Sequence, residues 1–379
     1  MSEVRVNNLS NENNTGGPTI SGITTYSGRH FFVPPVGDTA SSPENCEPGS
    51  LRFNTDSATL EYFRGDNFGW TDIQAELVQP LGGGTGSNAG LGHRGVYGGA
   101  SGPSNNNLNT LDFITISTLG NAQDFGDVIG NYVWTGCCSS HIRGLLMNGY
   151  NYQNQIQFLT FSSKGDTQDF GDTTQARHQG SSVSNKIRGI AVAGTHPAAY
   201  NIMDYVTIAQ TGNAVDFGDV ATAGTFHGTS ASPTRGIIAG AFVPSATNVI
   251  QFITFMTTGD AQDFGDLISA KGGARGCSNA TRAVHKGDGN SMEFITIATL
   301  GNATDFGDLS TQEQGDANTC SSSVRGVFPG RSDPAGGSYA KNNIEFITFA
   351  TTGNALDFGD GTDDFSGYQG YMSTGHGGL

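Results

Sequence analysis

A 17-residue element occurs six times in this chain, and no other feature constrains the fold as strongly. It reads LDFITISTLGNAQDFGD at 111–127, IQFLTFSSKGDTQDFGD at 156–172 and MDYVTIAQTGNAVDFGD at 203–219. It returns as IQFITFMTTGDAQDFGD at 250–266, MEFITIATLGNATDFGD at 292–308 and IEFITFATTGNALDFGD at 344–360. No copy carries an insertion, and the aromatic anchors Phe113, Phe158, Tyr205, Phe252, Phe294 and Phe346 are spaced by 45, 47, 47, 42 and 52 residues. Self-similarity at this period marks a series of supersecondary units that bury their apolar faces against one another.

A second marker travels with the first. Arg-Gly stands at 94–95, 143–144, 188–189, 235–236 and 325–326, and becomes Arg282-Ala283 in the fifth unit. One unit therefore runs from an Arg-Gly strand through a variable loop to the FITF strand, a Gly-Asn or Gly-Asp turn, the DFGD strand and a Gly/Ser-rich return. FITIxT alternates with period two, which predicts one face carrying the aromatic and Ile and the other carrying Thr. The Gly-Asn turn is the chemistry that joins antiparallel strands. With a fourth strand in the return, such as SSSV before Arg325, each unit has four short strands. Four strands in about 47 residues is the size of a propeller blade.

The expected fold is all-β: a six-bladed β-propeller preceded by a small N-terminal β module. After the sixth DFGD the chain continues as GTDDFSGYQGYMSTGHGGL, with Gly377 where the next Arg would stand. That tail is expected to supply the strand that the first blade lacks and so close the ring. A seventh blade built from N-terminal residues is the alternative. The boundaries read as 1–80 for the N-terminal arm and hairpin module, 81–93 for a Gly/Ser-rich linker, and 94–379 for the propeller. In the module, LRFNT and LEYFR read as two strands around Asp56-Ser57-Ala58, capped by Trp70.

Composition narrows the function. Charged residues make up 14% and the 57 glycines suit many short strands joined by turns. A net charge of −16 argues against nucleic acid as a partner, because phosphate binding needs clustered Lys and Arg. The opening MSEVRVNNLSNENNTGG has no apolar core of a secretory signal, and no run reaches the roughly 18 apolar residues of a membrane helix. Cys46, Cys137, Cys138, Cys277 and Cys320 form no CxxC pair, so small buried thiols in a reducing compartment are expected.

At GSLRFNTDSATLEYF followed by a Trp, the chain resembles the N-terminal β modules of tail-fibre-like proteins. As a whole it is similar to virion structural proteins of marine cyanobacterial phages that carry the FITIATxGNAxDFGD repeat. The resemblance implies a tail fibre or an appendage of capsid or tail, assembled in the host cytoplasm and located in the virion. It implies other virion proteins as partners through residues 1–80, a host-surface glycan or receptor as a further partner, and a homo-oligomer. It transfers no catalytic residue and no cofactor.

A motif present once per blade reads first as structural. DFGD supplies Asp124 and Asp127, Asp169 and Asp172, Asp216 and Asp219, Asp263 and Asp266, Asp305 and Asp308, and Asp357 and Asp360. Their side chains are expected to tie turns through backbone N–H groups, with Phe as a core plug; calcium between blades is the alternative. Arg94, Arg143, Arg188, Arg235, Arg282 and Arg325 are expected to pair with DFGD carboxylates, the alternative being a ring of cations facing a channel. Cys138, Cys277 and Cys320, with Ser230 at the equivalent place, mark a position that takes a small side chain. The eight His show no paired metal-ligand spacing, no GxSxG nucleophile context occurs, and no carboxylate pair stands apart from the repeat. The chain therefore reads as a non-enzyme, with a receptor- or glycan-binding adhesin and a cell-envelope polysaccharide hydrolase as alternatives. Function is sought in the variable loops, where Tyr150, Tyr152, His196, Tyr200 and Tyr339 are candidates for a binding rim.

Overall fold

The computed structural model describes residues 34–43, 46–56, 59–65, 69–72, 93–98, 109–130, 136–149, 152–242, 245–287, 289–313, 319–329, 341–365 and 370–379. The polar arm before residue 34 and all of the 81–93 linker except His93 lie outside them. The chain divides into two compact units, Met1–Val78 and Gln79–Leu379. Among the described residues the structure is all-β apart from a three-residue 3-10 turn at Thr39–Ser41.

The first unit is one four-stranded sheet of β1 (Val36–Gly37), β2 (Leu51–Asn54), β3 (Thr59–Phe63) and β4 (Trp70–Asp72), in that order. β1 runs parallel to β2 and the other pairs are antiparallel. The two expected strands are β2 and β3; residues 57 and 58 of their turn lie outside the described set. Trp70 lies over both, with the Arg52 guanidinium of β2 5.5 Å from its ring. It opens a third antiparallel strand, its ring 5.5 Å from that of Phe63. Arg52 is nearly buried, its Nε 3.1 Å from Glu61 and its Nη2 donating to the carbonyls of Gly37 and Asp38. So small a sheet has little apolar area to bury, and this polar core fixes the register of its strands.

The second unit contains six four-stranded antiparallel sheets. Sheet 1 takes Gly370–Ser373, Arg94–Gly98, Thr110–Thr115 and Gln123–Asp127. Sheet 2 takes Gly136–Ser139, Arg143–Gly149, Gln153–Thr160 and Gln168–Asp172. Sheet 3 takes Ser181–Ser184, Arg188–Thr195, Ala199–Thr207 and Val215–Asp219. Sheet 4 takes Gly228–Ala231, Arg235–Ala241, Thr247–Thr254 and Gln262–Lys271. Sheet 5 takes Arg275–Ser278, Arg282–Lys286, Gly289–Thr296 and Thr304–Glu313, and sheet 6 Cys320–Ser321, Arg325–Pro329, Lys341–Thr348 and Leu356–Phe365. Strand order follows chain order except in sheet 1. There the chain's last segment returns as the first strand, with Gly370 opposite Gly98 and Ser373 opposite Gly95. The fourth strand expected at SSSV lies slightly earlier, at Cys320–Ser321.

Alternation of one buried and one open face does not hold. Leu111, Asp112, Phe113 and Ile114 are all buried, because both faces of each sheet are covered. Six apolar clusters are found among the described residues, each drawing on two sheets. They join sheets 1 and 2, 2 and 3, 3 and 4, 4 and 5, 5 and 6, and also 6 and 1.

Every DFGD strand carries a bulge. In sheet 2, Ile156 faces Gly171 and Gln157 faces Asp169, so Phe170 is the extra residue; the other five sheets repeat the shift. The bulge turns each DFG phenylalanine into the core, where Phe125, Phe170, Phe217, Phe264, Phe306 and Phe358 are all buried.

Candidate functional site

The repeated residues are spent between sheets. The Gly of each Gly-Asn or Gly-Asp turn donates its N–H to the DFG phenylalanine carbonyl of the preceding sheet, as Gly165 does to Phe125 at 2.8 Å. The next side chain, Asn or Asp, accepts from the N–H of the second DFGD aspartate, as Asn213 does from Asp172 at 3.0 Å. The same clip joins sheet 6 to sheet 1 through Gly120 to Phe358 and Asp360 to Asn121. Close approach requires the DFG glycine: a Cβ on Gly126, at φ 147°, would stand 2.5 Å from the backbone of Gly165. The expected role of the DFGD carboxylates is thus reversed, for their backbone is tied by side chains of the neighbouring turn. Asp124, Asp169, Asp216, Asp263, Asp305, Asp357 and Asp360 themselves are exposed, and Asp127, Asp172, Asp219, Asp266 and Asp308 are partly so.

The six repeat arginines likewise depart from expectation. None is ion-paired to a DFGD aspartate; the ion pairs among the described residues are Arg52–Glu61, Arg177–Asp204 and Lys271–Glu293. Each guanidinium lies over its own sheet's aromatic anchor at 4.4–5.1 Å. Its Nη1 donates to carbonyls at the end of the next sheet's third strand, as Arg235 does to Ile297 and Ala298 at 3.0 Å. Arg325 reaches Ile116 and Ser117 of sheet 1 in this way. On its other side each anchor meets the DFG phenylalanine edge-to-face at 5.9–6.2 Å. A planar cation suits this place because it stacks and donates at once, which also explains why the three motifs travel together.

The first strands of all six sheets line one cavity of about 80 Å³. The repeat arginines do not line it. A belt of serines does: Ser139 Oγ donates to the Ser373 carbonyl, Ser184 to Ser139, Ser278 to Ala231, Ser321 to Ser278 and Ser373 to Ser321, at 2.7–2.8 Å. The sixth link is missing because residue 231 is alanine. Burial pushes the Cys138 and Cys277 thiols up, and that of Cys320 to about 12, so these three are small packing groups and not nucleophiles. All five cysteines are free.

Of the rim candidates, Tyr150 and Tyr339 lie outside the described residues; the structure brings Tyr152 and His196 together, while Tyr200 acts on the Arg177 beside them. The Tyr152 ring lies against two imidazoles, with centroids 4.0 Å from His196 and 4.4 Å from His178. Tyr152 adopts φ 59° and stays 45% exposed, so the group is reachable from solvent. Beneath it Arg177, fully buried, holds Asp204 at 2.9 Å, and Thr174 donates to the same carboxylate at 2.6 Å. Burial lowers the Arg177 pKa, while Asp204 and Tyr200 oppose that shift. Burial and the neighbouring His196 also hold His178 below the usual imidazole range. Sequence reasoning missed His178 and Arg177, whose signal is a basic pair in the Gly/Ser-rich return QARHQG.

A ring of buried polar side chains just before each anchor was also missed: Asp112, Gln157, Asp204, Gln251, Glu293 and Glu345. Five accept from the backbone N–H two residues after the preceding sheet's DFGD, as Gln251 does from Ala221 at 2.7 Å; Asp204 takes the Thr174 hydroxyl there instead. Its signal was a polar residue fixed at one place in an apolar strand. Among the described residues no group of three or more His, Cys, Asp or Glu side chains is placed to hold a metal ion, and no helix is long and apolar enough to cross a membrane. Neither a family model nor a curated protein sequence matches this chain.

Proposed function

We propose that residues 94–379 close into a six-bladed β-propeller and that the protein is a non-enzymatic structural component of a bacteriophage virion, a tail fibre or an appendage of capsid or tail. The observation that carries the reading is where the repeated residues go. Arginine, anchor, turn and DFGD are all consumed in joining one sheet to the next, and the strand at 370–373 ties the last segment of the array to its first sheet. What remains unrepeated is the loop rim, so the fold serves as a rigid frame that displays loops. Residues 1–80 supply the attachment to other virion proteins, and the net charge of −16 keeps the displayed surface soluble. Cryo-electron microscopy of the particle tests this. A pseudo-six-fold disc tethered through residues 1–80 is the expected density; particles that lack the chain would overturn the proposal.

The Tyr152, His178 and His196 cluster favours a second role in the same protein, adhesion to a host-surface glycan or receptor. An exposed aromatic flanked by imidazoles offers a flat face and polar edges, the chemistry by which proteins hold sugars and protein surfaces. Tyr152→Ala is expected to cut adsorption to host cells roughly tenfold, the loss of about 1.4 kcal/mol of contact, without changing incorporation into particles. Unchanged adsorption would remove this reading and leave the structural one standing.

A further inference from the structure

Of residues 374–379, His376 lines the cavity, and its side chain ties the segment to the first strands of sheets 2 and 3. His376 Nε2 lies 2.9 Å from the Ser139 carbonyl and 3.3 Å from Ser184 Oγ, and its Nδ1 accepts from the Gly378 N–H at 3.1 Å. These partners assign the neutral Nε2–H tautomer, with both nitrogens committed. Gly377 donates to the Ser278 carbonyl at 2.9 Å. Neither Gly377 nor Gly378 has room for a Cβ: Gly377 lies against the Ala231 carbonyl and Gly378 against that of Ser184, where the serine belt lacks its sixth link. The segment thus fills the one gap in the belt.

Two more imidazoles face the same turn. His93 Nδ1, from the residue before sheet 1's second strand, and His141 Nδ1, from the first turn of sheet 2, lie 3.2 and 3.0 Å from the Thr374 carbonyl. From sheets 3, 4 and 5 the plug meets uncharged groups: Ser184, Ala231 and the backbone of Ser278 and Asn279. No Asp or Glu is ion-paired with any of the three imidazoles among the described residues.

We infer that residues 374–379 are an acid-released plug, in which protonation of His376 takes the Nδ1 lone pair from Gly378 and sets a cation beside His93 and His141 with no acid to balance it. Burial first, and then His141 and His93, hold the His376 pKa down to about 4, the Ser139 bond opposing. The open plug frees the imidazole to regain its ordinary pKa of about 6.5, so release is favoured progressively from there downward. Release takes His376 out of the lining of the serine-lined cavity, while the strand at 370–373 stays paired through its backbone to sheet 1.

Hydrogen exchange on the intact protein, read by peptide mass spectrometry and corrected for intrinsic rates, tests this between about pH 7 and about pH 4.5. Protection of residues 374–379 is expected to fall at least roughly tenfold while the third strands of sheets 3 and 4 stay protected. In His376→Gln, which keeps a donor and an acceptor but no titrating group, the loss disappears. Loss of protection in step with the other sheets, or none at all, overturns the inference. A titration of the wild-type His376 resonance by NMR needs no variant, and an unshifted pKa near 6.5 sinks it as well.

Discussion

Gly326 lies against the sulfur of Cys277, where an added Cβ would stand 2.5 Å from Sγ. Gly95 meets Cys320 and Gly189 meets Cys138 in the same way, at 2.6 and 2.8 Å. The Arg-Gly motif therefore answers a bulky atom on the neighbouring sheet's first strand. In the fifth unit the glycine becomes Ala283, and the residue on the preceding first strand is Ser230, whose hydroxyl pairs with His285 Nε2 at 3.1 Å instead. Smaller neighbour and larger residue thus occur together. Gly326→Ala is expected to destabilise the protein by about 1–3 kcal/mol through overpacking, and Cys277→Ser added to it is expected to restore most of that. Denaturation midpoints of the two single variants and the double measure the coupling. If Gly326→Ala alone leaves the midpoint unchanged, the glycine serves the strand backbone and not the sulfur.

Between elements, the polar position before each anchor does in one sheet what an amide does in another. Gln157 and Gln251 fill it as neutral groups, whereas Glu293 is charged and pairs with Lys271 at 3.0 Å, both 3% exposed on their side chains. Taking two charges out of water costs about what their attraction returns, but removing one leaves the other uncompensated. Glu293→Gln is therefore expected to cost about 3–5 kcal/mol. Adding Lys271→Met brings stability back near the starting value, since the pair is then replaced by the solution sheets 2 and 4 already use. Urea midpoints of the three variants decide it, and a neutral Glu293→Gln would show that water reaches Lys271.

On the scale of the whole molecule, three histidines sit against the interior as neutral groups, His227 and His285 buried and His376 half-buried. Burial lowers His227, His285 and His376 to about 4, with Arg275 and Lys271 adding to the shift in the first two. The unfolded chain takes up these protons near 6.5 and the folded chain only near 4, so folding stability falls as pH drops through that window and levels off below it. Each site contributes on the order of 3 kcal/mol of that loss. Urea midpoints measured across the window test the sum, and a flat profile would mean that the imidazoles are not sealed from water. Replacing His227 and His285 removes their share of this global profile without touching the local release at residue 376, which separates the two.

Six copies of one element settled the strand count, the order of parts and the return of the last segment to the first unit, because a repeat that cannot bury its own faces must stack on its neighbours. The six arginines were visible too, yet their partners were not. A ready supply of carboxylates in DFGD suggested ion pairs, but only the packed sheets place each guanidinium between an aromatic face and one or two backbone carbonyls of the next sheet. Tyr152, His196 and Tyr200 came from loop composition; their joining to His178 and Arg177 crosses two sheets and has no trace in local sequence. The same holds for His376, an unremarked residue in a glycine-rich tail until the belt of serines around it leaves one gap for that tail to fill. Period and pattern are local properties that a chain carries in one dimension. Which group satisfies which buried donor or acceptor depends on distances that exist only after the sheets have met.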